Sequence, residues 1–187
     1  MRNLVTGALC ASALTCPAAE TATPLLELIE AGRIELRATG LGGHSGDCLR
    51  VEARNRSDRP LRTSIPAGWV FPSATEGVQD LIVVREEVIA LAPQGRATVT
   101  CRAFCCEATH SGPTEGERYR QGRPAPAPLV ALALAVDSGR YADDIVQSAV
   151  WVLSDGNDIG SMGAVSRTLD DTLRYRVSAL SGQAVPL

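Results

Sequence analysis

The feature that most constrains this chain is an alternation of apolar and polar residues that begins near residue 33 and recurs up to residue 105. In the first such segment, Ile34, Leu36 and Ala38 alternate with polar or charged neighbours. Alternation of period two is typical of a strand with one buried face. The segments are 33–41, 48–55, 61–71, 80–86, 87–93 and 97–105. Short strands at this regular spacing predict an antiparallel, immunoglobulin-like β-sandwich.

The rest of the chain divides around this β-region. Residues 23–110 form the predicted sandwich domain, which begins with a short helix that Thr23 can cap and whose first position Pro24 occupies. Residues 111–128 are rich in proline, glycine and charge, so they are predicted to be an exposed loop. Residues 129–187 carry helical patterns and are predicted to pack on the sandwich as a C-terminal helical segment. The predicted class is mostly β with C-terminal helices, an α+β fold.

Residues 1–22 have the pattern of a secretory signal peptide. Arg2 precedes a short apolar run, which small residues follow. The run is too short to cross a bilayer, and no later segment is long and apolar enough to do so. We therefore expect a secreted or periplasmic bacterial protein without a transmembrane segment.

Charge and composition narrow the functional classes. The chain has a net charge of −3, and all 18 of its basic residues are arginine. A slightly acidic chain has no overall field that attracts nucleic acid, so no nucleic-acid partner is expected. Because abundant alanine, glycine and arginine indicate a GC-rich coding bias, each single arginine is interpreted as an ordinary solvated residue.

The stretch CRAFCCEATH, residues 101–110, concentrates three cysteines and a histidine. On a strand, the apolar phase directs Cys101 and Cys105 toward the core and Cys106 outward. The same test directs Cys48 outward, onto the face of its charged neighbours. In an oxidising compartment we therefore expect a disulfide between Cys48 and Cys106, or Cys105 if the strand has already ended. Cys101 is predicted to be a small buried hydrophobe.

A metal site is the first alternative for these residues, since cysteine and histidine are preferred ligands of zinc and copper. The candidate ligands are His44, Cys48, Cys105, Cys106 and His110. Each histidine lies four positions from a cysteine. A meeting of the two histidines would therefore favour a zinc- or copper-binding periplasmic protein.

A thioester is the second alternative. The segment QSAVW, residues 147–151, resembles the Gln-x-Ala-x-Trp helix of thioester-forming adhesin domains on bacterial surfaces. The resemblance covers five residues, and Val146 stands where that family usually has threonine. It implies an internal thioester between Gln147 and an upstream cysteine, for which Cys101 is the candidate.

Each candidate catalytic motif in the sequence lacks a required residue or has a structural explanation. The chain is therefore predicted not to be an enzyme. Ser45 lies in the sequence GHSG, but Asp47 occupies the position where a nucleophile elbow needs glycine. The adjacent acids Asp143 and Asp144 are explained by the favourable N-terminal end of a helix. Trp69 is expected in the core. The leading prediction is a binding or surface-interaction protein without a cofactor, whose partner is an unknown protein or surface ligand.

Overall fold

The computed structural model describes residues 22–137, 140–162 and 167–185. The predicted signal peptide lies outside these residues except for its last position. The strands are β1 (Ile34–Leu41), β2 (Ser45–Asn55), β3 (Leu61–Ile65), β4 (Trp69–Phe71), β5 (Leu81–Val83), β6 (Glu87–Leu91), β7 (Arg96–Cys105), β8 (Glu115–Tyr119) and β9 (Arg123–Pro124). The helices are α1 (Leu25–Glu30), α2 (Ala127–Val136), α3 (Asp143–Asp155) and α4 (Arg167–Ser181), with a 3-10 turn at Ile159–Ser161. Antiparallel strands followed by helices confirm the α+β class.

The burial of the long strands follows the alternation in the sequence. In β1, Ile34, Leu36 and Ala38 are buried, whereas Arg37 between them is exposed. β1 pairs with β2 in antiparallel register, and β2 pairs with β7 in the same way. These strands direct most of their apolar side chains to one face of the sheet, which is buried, and most of their charged side chains to the opposite face.

The main sheet curls instead of lying flat. Its order is β8-β1-β2-β7-β5-β4-β9, and a second sheet contains only β3 and β6. A bridge between Ser73 and Tyr119 connects the chain leaving β4 to β8, so the two ends of the sheet approach each other. Register shifts between β1 and β8 and between β2 and β7 add local twist. The sheet is a curled half-barrel, and the immunoglobulin-like sandwich is not confirmed.

The segment 111–128, predicted to be an exposed loop, contains both β8 and β9. β8 pairs with β1, where Ala38 is opposite Tyr119, and β9 pairs with β4. The loop prediction is wrong for these strands because β8 lacks an apolar alternation of its own: Tyr119 is its one buried residue. The pairing therefore depends on partners that are distant in the sequence.

Two hydrophobic clusters cover opposite faces of the main sheet. The inner cluster fills the curl, where the two-stranded sheet and α1 also pack, and includes Leu28, Leu49, Ile65, Trp69 and Phe71. The outer cluster lies between the sheet and helices α2, α3 and α4, and includes Ile82, Phe104, Leu132, Ile145 and Ile159. Trp69 is 2% exposed, which confirms its expected place in the core.

Residues at its two ends define where helix α3 begins and ends. Asp143 and Asp144 occupy its first turn, where carboxylates interact favourably with the helix dipole. Gly156 ends the helix in the left-handed conformation, at φ 71°, which glycine adopts without a steric penalty.

Among the described residues, no helix combines the length and the apolar character that a membrane span requires.

Candidate functional site

The cysteines in and beside β7 divide between the two faces of the sheet. Cys101 and Cys105 belong to the inner cluster, whereas Phe104 and Cys106 belong to the outer cluster. The inward direction predicted for Cys101 and Cys105 is confirmed, and Cys101 is fully buried. Cys106 points away from the inner cluster as predicted, but the helical layer covers it.

Cys48 lies inside the curl, so the prediction that it points outward is wrong. The register between β2 and β7 shifts between Gly46 and Leu49, which marks a β-bulge. The bulge turns both Cys48 and Leu49 into the inner cluster. The Cys48 thiol donates a hydrogen bond to the carbonyl oxygen of Ala103 at 3.3 Å. A single extra residue in the strand therefore reverses the direction that simple alternation gives.

The four cysteines within the described ranges are free thiols. Cys48 and Cys106 do not form the predicted bridge, because the sheet separates their side chains. Cys105 shares the inner cluster with Cys48, but it is also a free thiol. Packing rather than a covalent link therefore holds this part of the sheet together.

Burial raises the pKa of each of these thiols. It raises the pKa of Cys48 to about 11 and those of Cys101 and Cys105 to about 12. Burial also raises the pKa of Cys106 well above its ordinary value. The thiolate is the form that attacks electrophiles and binds metals, so thiols that stay protonated at neutral pH behave as core residues.

The two histidines lie at the surface, whereas the four described cysteines are buried. His44 and His110 are both exposed, and their backbone carbonyls accept hydrogen bonds from the Cys105 amide and the Gln79 side chain. In the part of the chain that the structure describes, no three histidine, cysteine or acidic side chains meet in a metal-binding arrangement. The candidate set of His44, Cys48, Cys105, Cys106 and His110 is therefore not brought together.

Gln147 anchors α3 to the end of β7. Its side-chain oxygen accepts a hydrogen bond from the Cys105 amide at 3.0 Å, and its side-chain nitrogen donates to the Cys105 carbonyl at 2.7 Å. Gln147 is 2% exposed. Cys101 directs its thiol to the opposite face of the sheet, so the structure does not place it against Gln147 for the implied thioester. Gln147 instead completes the hydrogen bonding of a buried strand end.

A small cleft of about 180 Å³ lies beside this strand end. Asp80, Cys106, Glu107 and Arg123 line it together with apolar residues. Burial raises the pKa of Glu107, and the negative charges of Asp80 and Asp155 act in the same direction. The Glu107 carboxylate accepts a hydrogen bond from the Asp80 amide at 2.7 Å, which opposes the shift. Glu107 is therefore less favourably placed as a charged group than an exposed glutamate.

We expect Glu107→Gln to raise the melting temperature more at pH 7 than at pH 4. A raised folded-state pKa means that Glu107 contributes stability below its ordinary pKa, and that this contribution is lost as the pH rises through the raised value. Glutamine removes the charge and keeps an oxygen that accepts from the Asp80 amide. Calorimetric unfolding at the two pH values measures the difference. Glu115→Gln, at an exposed position of β8, is the control, and an equal change at both pH values would contradict the prediction.

The outer face of β7 changes polarity along the strand. Phe104 lies beneath the helices, whereas Thr98 and Thr100 at the other end are exposed. Arg102 lies at the border, where its guanidinium pairs with Asp143 of α3 and sits 5.6 Å from the centre of the Phe104 ring. The helices therefore cover one part of the outer face and leave the other part open to solvent.

The open part of the outer face is rich in arginine, and we call it the arginine face. It comprises outward side chains of four strands: Arg118 of β8, Glu35, Arg37 and Thr39 of β1, Arg50, Glu52 and Arg54 of β2, and Arg96, Thr98 and Thr100 of β7. Five arginines against two glutamates give this face a formal net charge of +3, whereas the whole chain carries −3. This surface is therefore net positive although the chain as a whole is net negative.

The pairing registers arrange these side chains in rows across the strands. One row contains Arg118, Thr39, Arg50 and Thr100. Since neighbouring strands lie about 4.8 Å apart, the backbones of Arg118 and Arg50 are roughly 10 Å apart. Neither of these two arginines forms an ion pair with any acid that the structure describes.

The remaining charges of the arginine face are partly paired. Glu35 pairs with both Arg37 and Arg56, and Glu52 pairs with Arg96 at 3.1 Å. Hydrogen bonding from Arg56 and then from Arg37 holds the pKa of Glu35 below its ordinary value. Pairing therefore occupies one edge of the face and leaves the row that contains Arg50 open.

A cleft of about 410 Å³ opens beside this row, between β1 and β8. Its lining residues are Leu36, Arg37, Ala38, Thr39, Arg118 and Tyr119. After Tyr119, the last residue of β8, the chain no longer pairs with β1. Instead, the amide of Arg120 donates a hydrogen bond to the carbonyl of Pro72 at 2.7 Å. The two strands diverge at that point, and a gap remains along β1.

Reasoning from the sequence missed the arginine face. The signal was present in the outward positions of 33–41, 48–55 and 97–105, where arginine and threonine recur. It became visible only when the pairing registers brought Arg118 into the row of Arg50.

Comparisons with protein-family models, curated proteins and solved structures find no match to this chain.

Proposed function

We propose that this chain is an exported, non-enzymatic binding protein that holds an acidic partner on its arginine face. The observation that carries the proposal is the concentration of positive charge on one open face of an acidic chain. Such a face attracts acidic surfaces and repels basic ones, which promotes both rapid association and specificity. The export part of the proposal rests on the apolar run that follows Arg2.

Two guanidinium groups on the face are available to a partner. Arg50 and Arg118 are exposed and form no ion pair with a described acid. A carboxylate can accept two parallel hydrogen bonds from one guanidinium, which is a strong and directional contact. Thr39 and Thr100 add hydroxyl groups in the same row. Because these side chains stand on paired strands, the backbone beneath them needs no ordering when a partner binds.

The buried cysteines favour a binding role over thiol chemistry. Cys106 lines the small cleft beside Glu107, but burial raises the pKa of its thiol and keeps it protonated at neutral pH. A protonated thiol is a poor nucleophile. The exposed arginines, rather than the buried cysteines, are therefore the groups that can contact a binding partner.

The proposal is tested with poly-L-glutamate as the acidic probe and poly-L-lysine as the basic probe. We expect the chain to bind poly-L-glutamate at low ionic strength, and we expect Arg50→Glu combined with Arg118→Glu to weaken binding by about tenfold or more. Isothermal titration calorimetry measures both affinities. Raising the salt concentration to about 1 M should weaken binding as well, because salt screens exposed charges.

Arg59→Glu combined with Arg62→Glu is the matched control. Both arginines are exposed, both lie outside the arginine face, and the double reversal changes the net charge by the same amount. We expect this control to bind poly-L-glutamate much as the parent chain does. Equal losses in the two double variants, or preferential binding of poly-L-lysine, would contradict the proposal.

A further inference from the structure

Strand β1 has an unpaired edge next to the arginine face. It pairs with β8 only at Ala38, Thr39 and Leu41, so positions 34–37 have no strand partner on that side among the described residues. This part of β1 is one wall of the cleft of about 410 Å³. An unpaired edge beside a cleft is a place where another strand can lie.

The direction of the backbone groups along this edge follows from antiparallel pairing. The amide of Arg56 donates to the carbonyl of Arg33, so Arg33 and every second residue after it bond toward β2. The residues between them direct their N–H and C=O groups the other way. Leu36 therefore points its backbone donor and acceptor into the cleft, where the backbone of a partner could pair with them.

The two sides of the cleft differ in chemistry. Leu36, Ala38 and Tyr119 are buried members of the inner cluster, whereas Arg37 and Arg118 are exposed members of the arginine face. Successive side chains of a strand point to opposite faces. A strand lying in the cleft would therefore place every second side chain against apolar groups and the side chains between them beside guanidinium groups.

We propose that the partner is an extended acidic peptide segment that adds to β1 as a further strand. The inference rests on the proposed function and specifies the form that the acidic partner takes. Backbone hydrogen bonds to Leu36 hold the segment in place, as in other cases of strand addition. Acidic side chains pair with Arg118 and lie beside Arg37, which already pairs with Glu35. The apolar side chains between them face Leu36 and Tyr119.

The test uses a blocked hexapeptide that alternates glutamate and valine, and two N-methylated versions of it. One version carries the methyl groups on its glutamate amides and the other carries them on its valine amides, so all three peptides have the same charge. Only one edge of an added strand faces β1. We therefore expect one methylated version to bind about tenfold or more weakly than the parent peptide, and the other to retain binding.

Hydrogen exchange and a charge reversal provide independent readouts in the intact chain. In the complex with the parent peptide, we expect the Leu36 amide to exchange about tenfold or more slowly. We expect Arg118→Glu to weaken peptide binding, and Arg62→Glu, outside the face, to leave it unchanged.

Two results separate this inference from the proposed function. If poly-L-glutamate binds but the three hexapeptides bind equally or not at all, with unchanged exchange at Leu36, strand addition is overturned and the arginine-face proposal stands. If poly-L-glutamate also fails to bind, the proposed function is overturned. Tighter binding of a single-stranded oligonucleotide than of the parent peptide would assign the face to nucleic acid and overturn the inference as well.

Discussion

Replacing Gly122 with alanine should destabilise the protein by about 3 kcal/mol, because the added methyl group has no room. A Cβ atom at this position would lie 2.0 Å from Nε1 and 2.5 Å from Cδ1 of Trp69, and 2.7 Å from the carbonyl oxygen of Val70. Trp69 is 2% exposed and packed in the inner cluster, so it cannot move aside without disturbing its neighbours. Urea unfolding followed by tryptophan fluorescence measures the loss.

Gly112→Ala is the control for this prediction. Gly112 has no atom within 4 Å of the position that its Cβ would take, and neither glycine has a left-handed backbone that would penalise alanine by itself. We expect Gly112→Ala to change the free energy of unfolding by less than about 0.5 kcal/mol. If the two variants lose the same stability, the steric explanation for Gly122 is wrong.

Replacing Gln147 with leucine should have the second large effect, a loss of about 1–3 kcal/mol. Leucine has a similar volume but cannot accept from the Cys105 amide or donate to the Cys105 carbonyl, which Gln147 does at 3.0 and 2.7 Å. The amide keeps a second acceptor in the carbonyl of His44, so the unpaired carbonyl of Cys105 accounts for most of the expected loss. Chemical unfolding of the purified variant measures it.

Ser148→Ala is the control for Gln147, since Ser148 is the next residue of α3 and, among the residues that the structure describes, its hydroxyl bonds only to the carbonyl of Asp144 in the same helix. We expect this variant to lose less than about 0.5 kcal/mol. A Gln147→Leu variant as stable as the parent would show that the paired hydrogen bonds contribute nothing net to stability. Retained thermal cooperativity in both variants would confirm that the comparison concerns the same folded state.

Much of the fold follows from the sequence because period-two alternation is a local signal. The alternation in 33–41 and 48–55 predicts β1 and β2, whereas the single predicted segment 61–71 contains both β3 and β4, which the structure places in different sheets. The curl does not follow from any local pattern. It depends on bulges and on β8, whose charged residues give no apolar period and whose partner β1 is distant in the chain.

The candidate site was predictable in part for the same reason. Parity alone places Cys101 and Cys105 correctly on the inner face. It fails at Cys48, because a bulge shifts the phase of β2 between Gly46 and Leu49. The row of Arg118 and Arg50 could not be predicted from parity, since a row across strands requires the registers of three different strands.

The pairing of β8 with β1, which we call the seam, also bears on the order in which the strands fold. Ala38 and Tyr119 are paired across roughly eighty positions of sequence, so closing this contact costs chain entropy that the adjacent β1–β2 hairpin does not lose. We therefore expect the hairpin to form before the seam closes. In the folded protein we expect the same seam to open at a lower free energy than the centre of the sheet. The gap along β1 can therefore widen by local fraying and adjust to strands of different bulk while the centre remains folded.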